Sequence, residues 1–337
     1  MIKVLFLWHP EKSLQDYILK GFGNYPNVEL IFPEDLNSEI LIDLAIDAHV
    51  IVGWRPGQEM LGKARQLSLF IAPGAGVQHL IKPFKELNLN RKVILVNGHG
   101  NSYFTATHGV ALLMSLMNKI IPHHNWMVNG EWRKGDEDAA SIPLRNRKIG
   151  LLGYGSINSK IHRFLSGFEV KFAALRTKWA RKNETELSTL KKFTISKLDE
   201  FLKYVDILFV SLPLTQKTEG LINEKQLQLL GKNGLLVSLG RGPVIDEKAL
   251  YYALKNRIIE GAAIDVWYKY RPEKEEEKVL HPANFPFHEL DNVVLSPHRA
   301  ASPFDDLKRW DEVIENISRF ADKRDDFMNI VDLDKGY

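Results

Sequence analysis

Ile149-Gly-Leu-Leu-Gly153-Tyr-Gly155-Ser-Ile-Asn158 is the stretch on which the reading of this chain turns. A run of buried-strand composition enters a turn through two glycines and leaves as a helix. Gly153 permits the tight turn. Gly155 lets a pyrophosphate approach the backbone at the helix N-terminus, which Ser156 and Ile157 open. The third position of the dinucleotide fingerprint is Asn158 rather than Gly or Ala. An ordinary strand–helix turn also uses glycine, so the context inside a βαβ unit carries the signal. The next strand, Val170–Leu175, ends in Arg176-Thr177-Lys178. An NAD site normally carries Asp or Glu there, roughly 20 residues past the loop, for the ribose 2′-hydroxyl. A guanidinium and a hydroxyl suit a 2′-phosphate instead. The expected cofactor is therefore NADP(H), with NAD(H) as the lesser partner.

Outward from this loop, short apolar runs alternate with amphipathic segments. Ile2–Leu7, Val28–Phe32, Val50–Gly53, Leu69–Ile71 and Val93–Val96 read as strands, and so do Lys148–Gly153, Ile207–Leu212, Leu235–Leu239, Gly261–Val266 and Val293–Ser296. This rhythm argues parallel sheets covered by helices. A long apolar helix is expected over Ala106–Ile121, closed by Pro122, and an amphipathic one over Pro303–Asp322. The last helix follows the final strand of the second α/β unit, so packing back on the first would make that first domain discontinuous. The chain has 337 residues, 45 Lys+Arg against 42 Asp+Glu, and no cysteine. Disulfides, thiolate metal sites and a cysteine nucleophile are excluded. A charge balance so even argues against a nucleic-acid partner. No apolar stretch reaches the roughly 18 residues of a membrane span, and Ile2–Leu7 is too short for a signal h-region. The expectation is a cytoplasmic protein with no metal site.

Four further motifs occur in order. They are Ser211-Leu-Pro213-Leu-Thr-Gln-Lys-Thr218, Val237-Ser-Leu239-Gly240-Arg241-Gly242-Pro, Gly261-Ala-Ala-Ile-Asp265-Val-Trp267 and Leu295-Ser-Pro297-His298. Together they resemble the D-isomer-specific 2-hydroxyacid dehydrogenase family, strongly over 144–303. The resemblance is weaker over 69–132, through Pro73-Gly-Ala75-Gly76, Asn97–Ser102 and Gly130-Glu-Trp132. It implies an α/β fold of two Rossmann-like or flavodoxin-like domains with parallel sheets. Residues 1–102 and 299–337 would form a discontinuous substrate domain, and 103–298 the dinucleotide-binding domain. It also implies a cleft between the domains and a homodimer built mainly through the nucleotide domains.

Reduction of a 2-keto acid needs a held carboxylate, a polarised carbonyl and a proton for the developing alkoxide. Arg241 offers the fork geometry, and His298 titrates near neutrality. By resemblance they are the substrate anchor and the catalytic histidine. The amides of Ala75 and Gly76 resemble the loop that binds the substrate carboxylate, with Asn101 beside them. Asp265 resembles the aspartate near the nicotinamide. Leu212, Pro213, Thr218, Leu239 and Gly240 join Gly153, Gly155, Ser156, Ile157, Arg176 and Thr177 as cofactor contacts. His108 reads as interdomain packing.

Three positions depart from the family pattern. Tyr270 stands where a glutamate usually pairs with the histidine, although formate dehydrogenases carry glutamine there; the preferred expectation is that Tyr270 hydrogen-bonds His298 in the catalytic site and leaves its pKa lower, and the other is impaired acid–base catalysis. Glu273 lies three residues on and is a candidate substitute. Thr107 and Gln78 replace a common glutamate and aspartate. The leading expectation is an NADP(H)-preferring reductase of a small 2-keto acid, of glyoxylate or hydroxypyruvate type, yielding the D-2-hydroxy acid. The alternatives are a dinucleotide-sensing binding protein of the same fold, and a formate- or phosphite-type donor dehydrogenase.

Overall fold

The computed structural model describes the chain except residues 136–138, 180–189, 271–280 and 302–305. It divides into two compact units, Met1–Asn101 with Pro303–Tyr337, and Ser102–Ser302.

The first unit alternates β1 (Ile2–Phe6), α1 (Lys12–Gly21), β2 (Val28–Ile31), α2 (Ser38–Ile46), β3 (Val50–Val52), α3 (Gln58–Lys63), β4 (Leu69–Ala72), α4 (Gln78–Leu87) and β5 (Ile94–Asn97). Its sheet is parallel, in the flavodoxin-like order β2-β1-β3-β4-β5. β3 and β4 are apolar throughout because both their faces are covered.

The second unit opens with α5 (Ser102–Met117) and α6 (Ile120–Val128). The expected single helix is therefore two. The break falls at Lys119, whose left-handed φ of 49° interrupts the ladder, and Pro122 sits in the first turn of α6, where a missing N–H costs nothing. Then come β6 (Lys148–Leu152), α7 (Ser156–Leu165), β7 (Lys171–Arg176), β8 (Leu190–Thr194), α8 (Leu198–Tyr204), β9 (Ile207–Val210), α9 (Glu224–Leu230), β10 (Leu235–Ser238), α10 (Glu247–Lys255), β11 (Gly261–Ile264) and β12 (Val293–Leu295). All seven strands are parallel, in the order β12-β11-β10-β9-β6-β7-β8. The chain leaves β6 in one direction through β7 and β8, and in the other through β9 to β12. That is the Rossmann arrangement, with its switch point between β6 and β9. β8 escaped the sequence reading because Lys191 and Lys192 sit on it. It is an edge strand, where lysines are ordinary.

The chain then returns to the first unit through α11 (Asp311–Ala321). This helix is shorter than the expected Pro303–Asp322. A 3-10 turn at Leu307–Trp310 precedes it, and 302–305 lie outside the described residues. Val313 and Ile317 bury against Val4, Phe6, Leu69 and Ile71 of β1 and β4. No single described helix is long and apolar enough to cross a membrane.

Ile317 is fully buried in this cluster. Ile317→Ala is expected to destabilise the protein by about 2–5 kcal/mol through lost burial plus a cavity. The check is a lower urea midpoint at unchanged slope.

Candidate active site

The glycine turn leaves the C-terminal end of β6 at the switch point. Gly153 has a φ of +83°, and a Cβ there would meet Leu212 Cδ2 at 2.7 Å and the Ser211 carbonyl at 2.9 Å. Only glycine suits both the conformation and the space. Asn158, the departure from the fingerprint, is fully buried. Its side-chain amide donates to the carbonyls of Leu152 (3.2 Å) and Gly153 (2.6 Å). A staple across the turn stands where a small residue usually lets helix and strand pack closely. A Cβ at Gly155 would have nothing within 4 Å, so the turn is open in front of the N-terminus of α7. These features fit a pyrophosphate held by the turn and the first amides of α7, Ser156 and Ile157 among them.

The neighbouring strand ends close the site floor. The Leu212 backbone runs against Gly240, after β10. Thr218 Oγ1 donates to the Pro213 carbonyl at 2.7 Å and so closes the turn after β9. Leu239 is buried with the ends of β6 and β11. Arg176 is the last residue of β7, and Thr177 follows it, exposed.

Arg241 follows β10. Its Nη1 donates to the Gly240 carbonyl at 2.7 Å. Burial lowers its pKa, opposed by Tyr270, but a guanidinium starts high enough to stay charged. Gly242 lets this segment touch the one after β11: a Cβ would lie 2.2 Å from the Trp267 carbonyl oxygen.

His298 lies after β12 with a φ of +56°. The loop that carries it is tied to Asp265, at the end of β11. Asp265 Oδ1 accepts from the Ser296 hydroxyl (2.5 Å) and the Arg299 N–H (2.8 Å), and Oδ2 accepts from the Ala300 N–H (3.2 Å). His108 Nε2 lies 2.9 Å from Ser296 Oγ. The serine proton is committed to Asp265, so His108 donates. His108 is therefore part of the hydrogen-bonded support of the His298 loop inside the second unit. Burial pushes the His298 imidazole below its ordinary value; Asp265 opposes this and Arg241 adds to it.

Tyr270 brings its ring to 5.3 Å from the His298 ring, tilted by 57°. Its hydroxyl accepts the Trp267 backbone N–H at 3.0 Å, so it meets His298 as a ring contact and not through the expected hydrogen bond. Glu273 lies outside the described residues. The second unit thus brings together Arg241, His298, Tyr270 and Asp265. Sequence reasoning passed over Ser296 and undervalued His108. The clue was their position, one just before the Pro-His pair and the other a half-buried histidine on α5, next to the buried Gly109.

Ala75, Gly76 and Asn101 belong to the first unit. Ala75 and Gly76 lie in the turn between β4 and α4, and the Ala75 carbonyl accepts from Asn97 Nδ2 at 2.9 Å. Among the described residues neither amide donates to a backbone carbonyl.

Residues 110–300 match the model of the D-isomer specific 2-hydroxyacid dehydrogenase NAD-binding domain. The chain belongs to this family. It is 33% identical over 215 residues to a glyoxylate reductase of Pyrococcus furiosus, covering 62% of this chain and 60% of that one. It thus spans less than two thirds of that relative's length. It is 26% identical over 281 residues to a glyoxylate/hydroxypyruvate reductase of Arabidopsis thaliana, covering 82% of this chain and 80% of the relative. The fold matches the NADPH-dependent glyoxylate/hydroxypyruvate reductase of Sinorhizobium meliloti solved with NADP and sulfate, at a TM-score of 0.77. Identity there is 21%, and the whole of both chains is covered.

Asn158→Ala would remove both bonds of the staple from a buried site. A loss of about 1–3 kcal/mol in stability is expected, with weaker dinucleotide binding, read by thermal unfolding with and without NADPH.

Proposed function

We propose that the protein reduces a small 2-keto acid of glyoxylate or hydroxypyruvate type to the D-2-hydroxy acid, with NADP(H) preferred over NAD(H). The observation that carries this reading is the convergence of Arg241, His298 and Asp265 in the same unit as the glycine turn. Residues 102–302 serve as the dinucleotide-binding domain, and the first unit as the substrate domain. Gly153, Gly155, Ser156, Ile157, Leu212, Pro213, Thr218, Leu239 and Gly240 line the dinucleotide. Arg176 and Thr177 receive its 2′-phosphate.

When bound, the reduced nicotinamide supplies the hydride. Arg241 holds the substrate carboxylate and polarises the keto oxygen through its planar fork. Ala75, Gly76 and Asn101 of the first unit are the proposed further carboxylate contacts. His298 donates its proton to the oxygen that becomes the hydroxyl. Asp265 keeps the loop in place and keeps a negative charge near the imidazolium. Among the described residues Tyr270 packs on the imidazole and Asp265 is the carboxylate whose charge raises its pKa. The net lowering of the His298 pKa fits a weakly basic donor, a reductase better suited to acid than to alkaline conditions.

A stopped assay of NADPH and NADH oxidation against small 2-keto acids tests the reading. NADPH is expected to be preferred by about 10- to 100-fold, the worth of charged hydrogen bonds to the 2′-phosphate. The proton donor must be protonated, and its pKa is lowered. Reduction is therefore fastest at low pH, and kcat/KM falls as pH rises through a midpoint below the ordinary value of about 6.5. Arg241→Lys should lose about two orders of magnitude in kcat/KM. A variant keeping most of its activity would sink the assignment, and tight NADPH binding with no turnover would favour the sensor alternative.

We propose further that the protein works as a cytoplasmic homodimer paired through α6. That helix has no buried residue, and Ile120, Ile121, Met127 and Val128 are all exposed, as is Trp132 beyond it at 75%. An apolar patch of this kind marks an interface, and a second copy covers it most simply. Light scattering should give twice the chain mass, and Met127→Asp with Val128→Asp should give the monomer. A monomeric parent protein would refute the dimer.

A further inference from the structure

The end of β7 carries more than the arginine expected from the sequence. β7 and β8 pair with Ala174 opposite Lys192 and Arg176 opposite Thr194. Registered partners on parallel strands, and residues two apart on one strand, face the same side. Ala174 packs with Ile161 and Leu165 of α7, whereas Ala173 and Leu175 pack with Phe201 and Leu202 of α8 on the other face. Arg176 and Lys192 therefore point to the α7 side, the side of the glycine turn. The residues flanking Lys192 on β8 go the opposite way. Phe193 joins the α8 cluster, and Lys191 Nζ sits 3.8 Å above the Tyr204 ring.

Trp179, three residues past the end of β7, returns to this face. Its indole N–H donates to the Phe193 carbonyl at 2.8 Å. Its ring lies 5.8 Å from that of Tyr154, inside the glycine turn. Two cations approach the same indole: the Arg176 guanidinium carbon at 5.4 Å and Lys192 Nζ at 5.3 Å from the ring centre. Each is attracted by the ring quadrupole. A dianion bound by both side chains would balance their two positive charges. A guanidinium directs its N–H groups in its own plane, as a bidentate bond to phosphate requires.

We infer that Trp179 is a positioning residue for cofactor choice. It gathers Arg176 and Lys192 into a site for a phosphomonoester on the adenosine ribose, with Lys192 as the second cation. This deepens the NADP(H) reading and rests on it. A phosphomonoester carries about −1.5 to −2 charges at pH 7, so one arginine alone leaves it partly uncompensated.

The test uses the full-length protein and two probes that differ only in the 2′-phosphate, adenosine 2′,5′-bisphosphate and 5′-AMP. Calorimetric affinities are compared for the parent, Trp179→Ala, Trp179→Phe and Lys192→Gln. Trp179→Ala and Lys192→Gln are each expected to cut the bisphosphate-to-AMP affinity ratio by about three- to tenfold, with 5′-AMP binding within about twofold of the parent. Trp179→Phe keeps a π face but not the indole N–H, and should restore most of the ratio. An unchanged ratio in both Trp179→Ala and Lys192→Gln would overturn the inference while leaving the cofactor reading intact. Equal weakening of both probes by Trp179→Ala, without rescue by phenylalanine, would make the indole an adenine shelf or a packing element and also overturn it. A parent protein that binds the two probes equally would refute the NADP(H) reading itself, and this inference with it. Should Trp179→Ala fail to fold, Lys192→Gln and Trp179→Phe decide the matter.

Discussion

A single buried carboxylate organises the second unit's chemistry. Asp265 is 1% exposed, and a carboxylate so far from water must be matched by donors. It finds them in Ser296, Arg299 and Ala300, which bracket His298 in sequence. The demand for satisfaction of one charge thereby fixes a loop whose own backbone holds a positive φ. The same carboxylate sets the electrostatics. It opposes the burial and the Arg241 charge that otherwise push the imidazole towards neutrality. Loop shape and proton affinity therefore depend on one residue, and neither is altered without the other.

Close backbone approach is the second constraint. The segments after β6, β9, β10 and β11 meet where glycine removes a side chain, at Gly153 against Leu212 and at Gly242 against Trp267. Parallel strands direct their C-terminal ends to one edge of the sheet, so residues far apart in sequence arrive at one place. Arg241 and His298 are 57 positions apart by their numbers. The β10-β11-β12 order makes them neighbours.

The departures from the family pattern acquire physical content in this setting. Asn158 stands where a small residue is usual, and its amide bonds the turn it would otherwise crowd. Tyr270 stands where a glutamate is usual, and its hydroxyl is taken by the Trp267 N–H while its ring packs on His298. One substitution preserves geometry by a new bond. The other puts an aromatic surface against the imidazole, and among the described residues Asp265 is the carboxylate that raises the His298 pKa.

Much of this was legible in the linear chain. Apolar runs such as Ile207–Val210 and Leu235–Ser238 announce strands buried on both faces, and the glycine turn announces the helix that follows. Charged β8 was not legible, because an edge strand need not be apolar on both faces. The division at Lys119 was not legible either, since nothing in a continuous apolar run marks a left-handed residue. Local patterning determined the α/β class and the glycine turn, because those depend on residue type and short spacing, whereas Arg241 and His298 were singled out through the resemblance of their motifs to the family. Only the tertiary structure decided that His108, Ser296 and Asp265 form one hydrogen-bonded support, and that Arg176, Lys192 and Trp179 share a face. Such groupings depend on strand order and register, which bring distant residues together and leave no trace in sequence spacing.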